Sequence, residues 1–119
     1  MTLQTEFPFT LPKGYVDMHG TLHRDGVMRL ANASDEIEPL RDHRVQDNEA
    51  YLTVIVLSRV VVSLGSLSQV TPKVVEGLFV SDLAYLQDMY RSINFGDRPL
   101  PDSVPTNGGL AEVVASGGV

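Results

Sequence analysis

The chain has 119 residues, no cysteine and a formal net charge of −6. That length suits one domain, which buries roughly two-thirds of the surface its unfolded chain exposes and so needs no disulfide or metal to fold. Thiol chemistry is excluded. The acid excess, with cations scattered at Arg24, Arg29, Arg41 and Arg44, argues against a nucleic-acid-binding surface, which needs clustered Lys and Arg.

The first residues, Met1 to Thr10, carry Glu6 and Pro8 and lack the basic start and apolar run of a signal peptide. The expected location is the cytoplasm. Phe7-Pro8-Phe9-Thr10-Leu11-Pro12 alternates, with Phe7, Phe9 and Leu11 on one side. Its two prolines limit it to an edge strand. Tyr15 to Leu22 follows, with Asp17 and Gly20 bracketing a short turn, so a β-hairpin is expected. Asp25-Gly26 marks a further turn or bulge before Val27 to Leu30.

Helical signals begin at Ser34, a suitable N-cap, followed by Asp35 and Glu36. Pro39 either keeps this first helix short or is tolerated within its first turns. Asp42 to Asn48 is highly charged, and an exposed segment is expected. The long apolar stretch Tyr51 to Leu64 gives two conflicting signals. Val54-Ile55-Val56 and Val60-Val61-Val62 are β-branched and favour a strand. Asn48 as a cap, Gly65 as a terminator and the length of the stretch favour a helix. The expectation is a helix buried on most sides, with Arg59 and Ser63 on its wetter stripe. Thr53, Ser58, Ser63 and Arg59 interrupt it, and a membrane span needs about 20 apolar residues, so it reads as a core element. Thr71-Pro72 starts the next helix. Ser81-Asp82 restarts it, and Leu83, Leu86, Tyr90 and Ile93 form one face. Asn94-Phe95-Gly96 ends it.

From Asp97 onward Pro99, Pro101, Pro105 and several glycines leave little to pack. The expected organisation is one α+β domain over residues 1–96, an N-terminal hairpin followed by three to four helices, and a flexible Pro/Gly-rich tail over 97–119. Within that tail, Leu110 to Ala115 could form a transient helix or a docking motif.

Candidate chemistry is sparse. Asp17, His19 and His23 supply a carboxylate and two imidazoles, a legitimate ligand set for a metal. The plainer reading makes Asp17 and His19 turn residues and puts His23 on a solvated strand face. His43, between Asp42 and Arg44, lacks a Gly-x-Ser-x-Gly elbow elsewhere in the chain and reads as a solvated helix face. Gly14, Gly20 and Gly26 are too widely spaced for a phosphate loop. Asp35, Glu36 and Glu38 read as charge complementing the helix dipole. No catalytic residue, metal or cofactor is expected. Tyr85, Met89 and Tyr90 have a plain reading as core, since a stripe at helical spacing is usually buried, but they make the apolar stripe of the last helix wider than one packed face requires. Tyrosine and methionine are enriched where proteins meet, so these three are candidate partner contacts in a helix-in-groove mode.

Leu11-Pro12-Lys13-Gly14-Tyr15-Val16-Asp17, Gly20-Thr21-Leu22-His23-Arg24, Met28-Arg29-Leu30-Ala31, Asp35-Glu36-Ile37, the expected apolar helix at Tyr51 to Leu64 and Ser81 to Arg91 together resemble the small tail-assembly proteins of contractile phages and phage-tail-like injection systems. The resemblance spans about Phe7 to Asp97. Both the tail-assembly chaperones and the baseplate-hub assembly chaperones share the plan of a hairpin followed by helices. The resemblance implies a non-enzymatic factor, without catalytic residues, that helps tail, tube or baseplate proteins assemble in the cytoplasm. It leaves room for self-association. The long tail departs from the shorter endings of that family. Two other readings stand beside it: a permanent subunit of the tail or baseplate, and a small metal-dependent enzyme or sensor built on Asp17, His19 and His23.

Overall fold

A computed structural model describes residues 3–96. The expected tail over 97–119 lies outside the described residues. The fold is α+β: an N-terminal antiparallel hairpin, extended by a third strand, followed by several helices.

Strands β1 (Glu6–Val16) and β2 (Leu22–Arg29) form the hairpin. Its turn closes where the sequence indicates. Asp17 N–H donates to the Thr21 carbonyl (3.0 Å) and Gly20 N–H to the Asp17 carbonyl (2.9 Å). Gly20 takes φ +84°, a conformation side-chain-bearing residues avoid. Phe9 and Leu11 are buried and Phe7 half-buried, which confirms the inward face read from the alternation.

The expected turn or bulge at Asp25-Gly26 is not there. Both residues stay in β2, opposite Thr10 and Phe9. Gly26 is small for another reason. A Cβ there would come within 2.5 Å of both the Phe9 ring and the Ser63 carbonyl oxygen. The irregularity lies across the ladder in β1, between Thr10 and Tyr15. It is held from two sides. Arg24 Nε donates to the Leu11 carbonyl (2.9 Å) and its Nη2 to that of Pro12 (3.3 Å). The buried Asp82 carboxylate accepts from the amides of Lys13 (2.9 Å) and Gly14 (2.8 Å). Asp82 belongs to the first turn of a helix almost seventy residues away in sequence, so the bulge and that helix fix one another.

Three short helical turns follow: α1 (Ala33–Ile37), a 3₁₀ turn (Glu38–Arg41) and α2 (His43–Asp47). The cap of α1 is Asn32, not Ser34. The Asn32 side chain accepts from Asp35 N–H while Asp35 accepts from Asn32 N–H, a reciprocal capping box. Pro39 ends α1, the first of its two expected effects, and is itself buried. In the charged segment that follows, Asp42 caps α2 and Val45 turns inward.

The apolar stretch divides. Helix α3 (Tyr51–Val60) stops at Val60, and Val61–Leu64 continues without a linker as strand β3, antiparallel to β2. The sheet order is β1-β2-β3. The helical expectation is thus correct for ten residues and wrong for four, where β-branched Val61 and Val62 follow their own preference for extended backbone. Helix α4 (Pro72–Glu76) starts as expected, with Thr71 Oγ1 accepting from Val74 N–H at 3.3 Å. Helix α5 (Val80–Phe95) ends at Gly96, whose φ is +65°. One core joins the layers: Phe9, Leu11 and Met28 from the hairpin, Leu57 and Val60 from α3, Leu86 and Tyr90 from α5.

Candidate partner-binding surface

Helix α5 lies against β1, with Leu86 and Tyr90 buried and Leu83 and Ile93 packed at the margin. The three candidate contact residues separate. Tyr90 is only 3% exposed. Its hydroxyl donates to Glu36 Oε2 at 2.5 Å. Burial first, then the Glu36 carboxylate, hold its phenol well above the usual range. Tyr90 is therefore a core residue, and the sequence grouping of Tyr90 with the partner contacts is corrected by its burial. Tyr85 and Met89 are half-buried and border an open groove of about 440 Å³ between α5 and the start of β1. Phe7, Pro8 and Ile93 supply its apolar walls, and Asp88 and Ser92 its polar rim. Tyr85 also meets Phe9 edge-on, ring centroids 6.4 Å apart.

Of the candidate metal ligands, two converge. His23 Nε2 lies 2.8 Å from Asp17 Oδ2. His19 gives Asp17 only its backbone N–H (2.8 Å), and its side chain is exposed. The reading of His23 as solvated is wrong: it is buried beneath the Gly65-Ser66 loop, and Ser66 N–H donates to its Nδ1 at 3.2 Å. An Nδ1 that accepts requires the proton on Nε2, so neutral His23 donates to Asp17 and both ring nitrogens are engaged. A histidine acting as base or ligand needs one nitrogen free for the reacting proton or metal. Here the ring locks the hairpin to the 65–66 loop. The His23 hydrogen bond, followed by backbone donors, lowers the Asp17 pKa to about 2. Among the described residues no group of three or more His, Asp or Glu side chains is placed to hold a metal ion.

Gly65 makes the lock possible. Its φ is +55°, and a Cβ would fall 2.1 Å from His23 Nδ1. Gly65→Ala is expected to cost more than the roughly 1–2 kcal/mol of left-handed backbone strain alone, because the ring must also move. A thermal melt tests this; an unchanged midpoint would mean that the loop does not close over His23.

A second charged cluster escaped the sequence reading. Asp35 is 2% exposed and accepts from Arg29 Nη1 (2.7 Å) and Nη2 (2.9 Å), from Arg59 Nε (3.0 Å) and from Asn32 N–H (2.9 Å). Arg59 continues to Glu38 at 3.2 Å. Asp35 is thus far more than dipole complement, and Arg59 is more than a water-facing residue. The paired guanidiniums, Arg29 foremost, hold the Asp35 carboxyl well below its usual range. His43 is exposed. Its neighbours Asp42 and Arg44 bond one another.

No helix among the described residues is long and apolar enough to cross a membrane. Comparison with protein-family models, with curated proteins and with solved structures finds no match.

Proposed function

We propose that this chain is a non-enzymatic assembly factor, a chaperone for a phage-like contractile tail or baseplate, acting in the cytoplasm by transient protein–protein binding. The observation that carries this reading is the open apolar groove bordered by Tyr85 and Met89, taken with the tail-assembly resemblance of the sequence. A groove between a helix and a strand edge suits an apolar client segment. Supporting it, the buried His23, Asp35 and Asp82 spend their hydrogen bonds on the chain's own structure.

Co-expression with tail, tube and baseplate proteins, followed by pull-down, tests the reading. Met89→Ala is expected to weaken capture by about 1–2 kcal/mol, as for a peripheral anchor at an interface. Ser92→Arg, which places bulk across the rim from an exposed position, is expected to weaken it without lowering the melting temperature. Tyr85→Ala is the less clean probe, since it also loses the Phe9 edge contact. Unchanged capture by Met89→Ala and Ser92→Arg would place the partner elsewhere. Retention in purified particles would replace the chaperone reading by that of a permanent subunit.

A further inference from the structure

The groove between α5 and the start of β1 is walled by Phe7, Pro8, Tyr85, Met89 and Ile93, and its strand side decides what kind of segment it accepts. Leu30 N–H donates to the Thr5 carbonyl, and Phe7 and Phe9 stand opposite Met28 and Gly26. Alternation along the ladder then turns the backbone of Pro8 toward the open edge of β1, and proline has no N–H to offer. An added strand would lose a rung at that position. A helical segment asks no backbone hydrogen bond of its host and presents only an apolar face.

The chain itself supplies such a segment. Helix α5 carries Tyr85, Met89 and Ile93 and closes at Gly96, and residues 97–119 follow directly. Residues 97–109 are dominated by proline, glycine and polar side chains. Leu110, Val113 and Val114 then fall at i, i+3 and i+4, the spacing of one helical face. Glu112 falls on the opposite side. Gly108-Gly109 and Gly117-Gly118 bound the segment. Alone, so short a stretch is far below the length of a stable helix, and an apolar host surface is what it lacks. The tether also has the right length. A coil running from Gly96 to Leu110 has a root-mean-square span of about 20 Å. Met89 and Tyr85 lie about 10 and 16 Å back along α5 from Gly96. A tether matched to its span gives an effective concentration on the millimolar scale. A second copy of the chain matches that only at millimolar protein, so the groove meets its own segment first.

We propose that residues 110–115 occupy the groove of their own chain when no client is bound, with Leu110, Val113 and Val114 against Tyr85, Met89 and Phe7 and with Glu112 toward water. The segment covers the apolar groove between clients and competes with each client for it. If its Kd for the groove as a free peptide is millimolar, it fills the groove about half the time, and the apparent client affinity falls about twofold. The inference rests on the reading of this groove as the protein's binding surface.

The test uses the full chain. Because it has no cysteine, Ser116→Cys takes a single nitroxide label. Paramagnetic broadening of the NMR signals is expected to centre on Phe7, Tyr85, Met89 and Ile93 and to spare Val16 and Leu22 at the far end of the hairpin. Val114→Asp is expected to reduce it about twofold, and Met89→Ala to reduce it from the groove side. Without any label, the amide shifts of Tyr85, Met89 and Ile93 are expected to differ between the wild type and Val114→Asp. The inference is overturned if those shifts coincide, if the broadening survives Val114→Asp, or if it centres on the hairpin end. It is also overturned if the broadening passes to an unlabelled copy mixed with the labelled one, which would make the occupant the segment of a second chain. No client protein is used, so broadening at the groove with failed capture in the pull-down would keep the docked segment and remove the chaperone reading.

Discussion

Asp35→Ala is expected to lower the free energy of unfolding by about 3–5 kcal/mol, the range for removing one partner of a buried ion pair. Asp35 joins the end of β2, the first helical turn and the end of α3 through Arg29, Asn32 and Arg59. Its loss leaves two guanidiniums side by side with no shared carboxylate and removes half of the capping box. Urea denaturation at neutral pH measures the effect. Arg59→Ala is expected to cost less, because a third of the Arg59 side chain already faces water and Arg29 remains on Asp35. A loss under about 1 kcal/mol for Asp35→Ala would mean that the cluster is exposed in solution and behaves as surface pairs do. The same group sets a pH dependence. Its folded-state pKa lies below the ordinary value of 3.8, so the unfolded chain takes up the proton first. Its stabilisation is complete above that ordinary value and is lost as pH falls toward the folded-state pKa. Asp17, lowered to about 2, acts in the same direction. The wild type is therefore expected to lose stability below about pH 4, with a shallower loss in Asp35→Ala.

Leu57→Ala is expected to cost about 2–5 kcal/mol, the range for large-to-small changes in a close-packed core. Leu57 is fully buried in α3 at the centre of the core cluster. Val62→Ala, only five residues later but on the open side of β3, is expected to stay within about 0.5 kcal/mol, as exposed sites do. Comparable losses at both positions would mean that Val62 is packed and does not lie on the open side of β3.

The junction of α3 and β3 shows what the sequence could reveal. Leu57, Val61 and Leu64 are spaced four and three apart, the spacing of a helical face. In the fold Val61 and Leu64 are nevertheless strand residues. β3 carries a bulge at Val62, between the pairs Met28–Val61 and Val27–Ser63, and the extra residue lets two positions of odd spacing face the same core. A bulged strand thus imitates helical periodicity, and only the partner strand distinguishes the two. The elements that were legible rest on local signals: the Asp17–Gly20 turn, the Thr71-Pro72 start, the stripe of α5. The roles that were not legible depend on residues distant in sequence. Asp82 looks like an ordinary first-turn carboxylate until the amides of Lys13 and Gly14 arrive. His23 looks solvated until Ser66 covers it. Nothing near Asp35 announces Arg59. At the candidate surface, periodicity located α5, but burial alone distinguished Tyr90 from Met89.

The absence of any linker between α3 and β3 bears on how such a protein would let go of what it holds. Opening and closing devices turn about a few loop residues that absorb the backbone rotation. Val60 is helix and Val61 is strand, so a rotation of α3 is passed directly into the ladder with β2. Asp35 clamps α3 to the end of β2, and Asp82 clamps α5 to β1. The helices and sheet are cross-braced, which makes the fold stiff. In the proposed role, release must then be driven by the client, whose own incorporation into a larger particle competes for the surface that this chain covers.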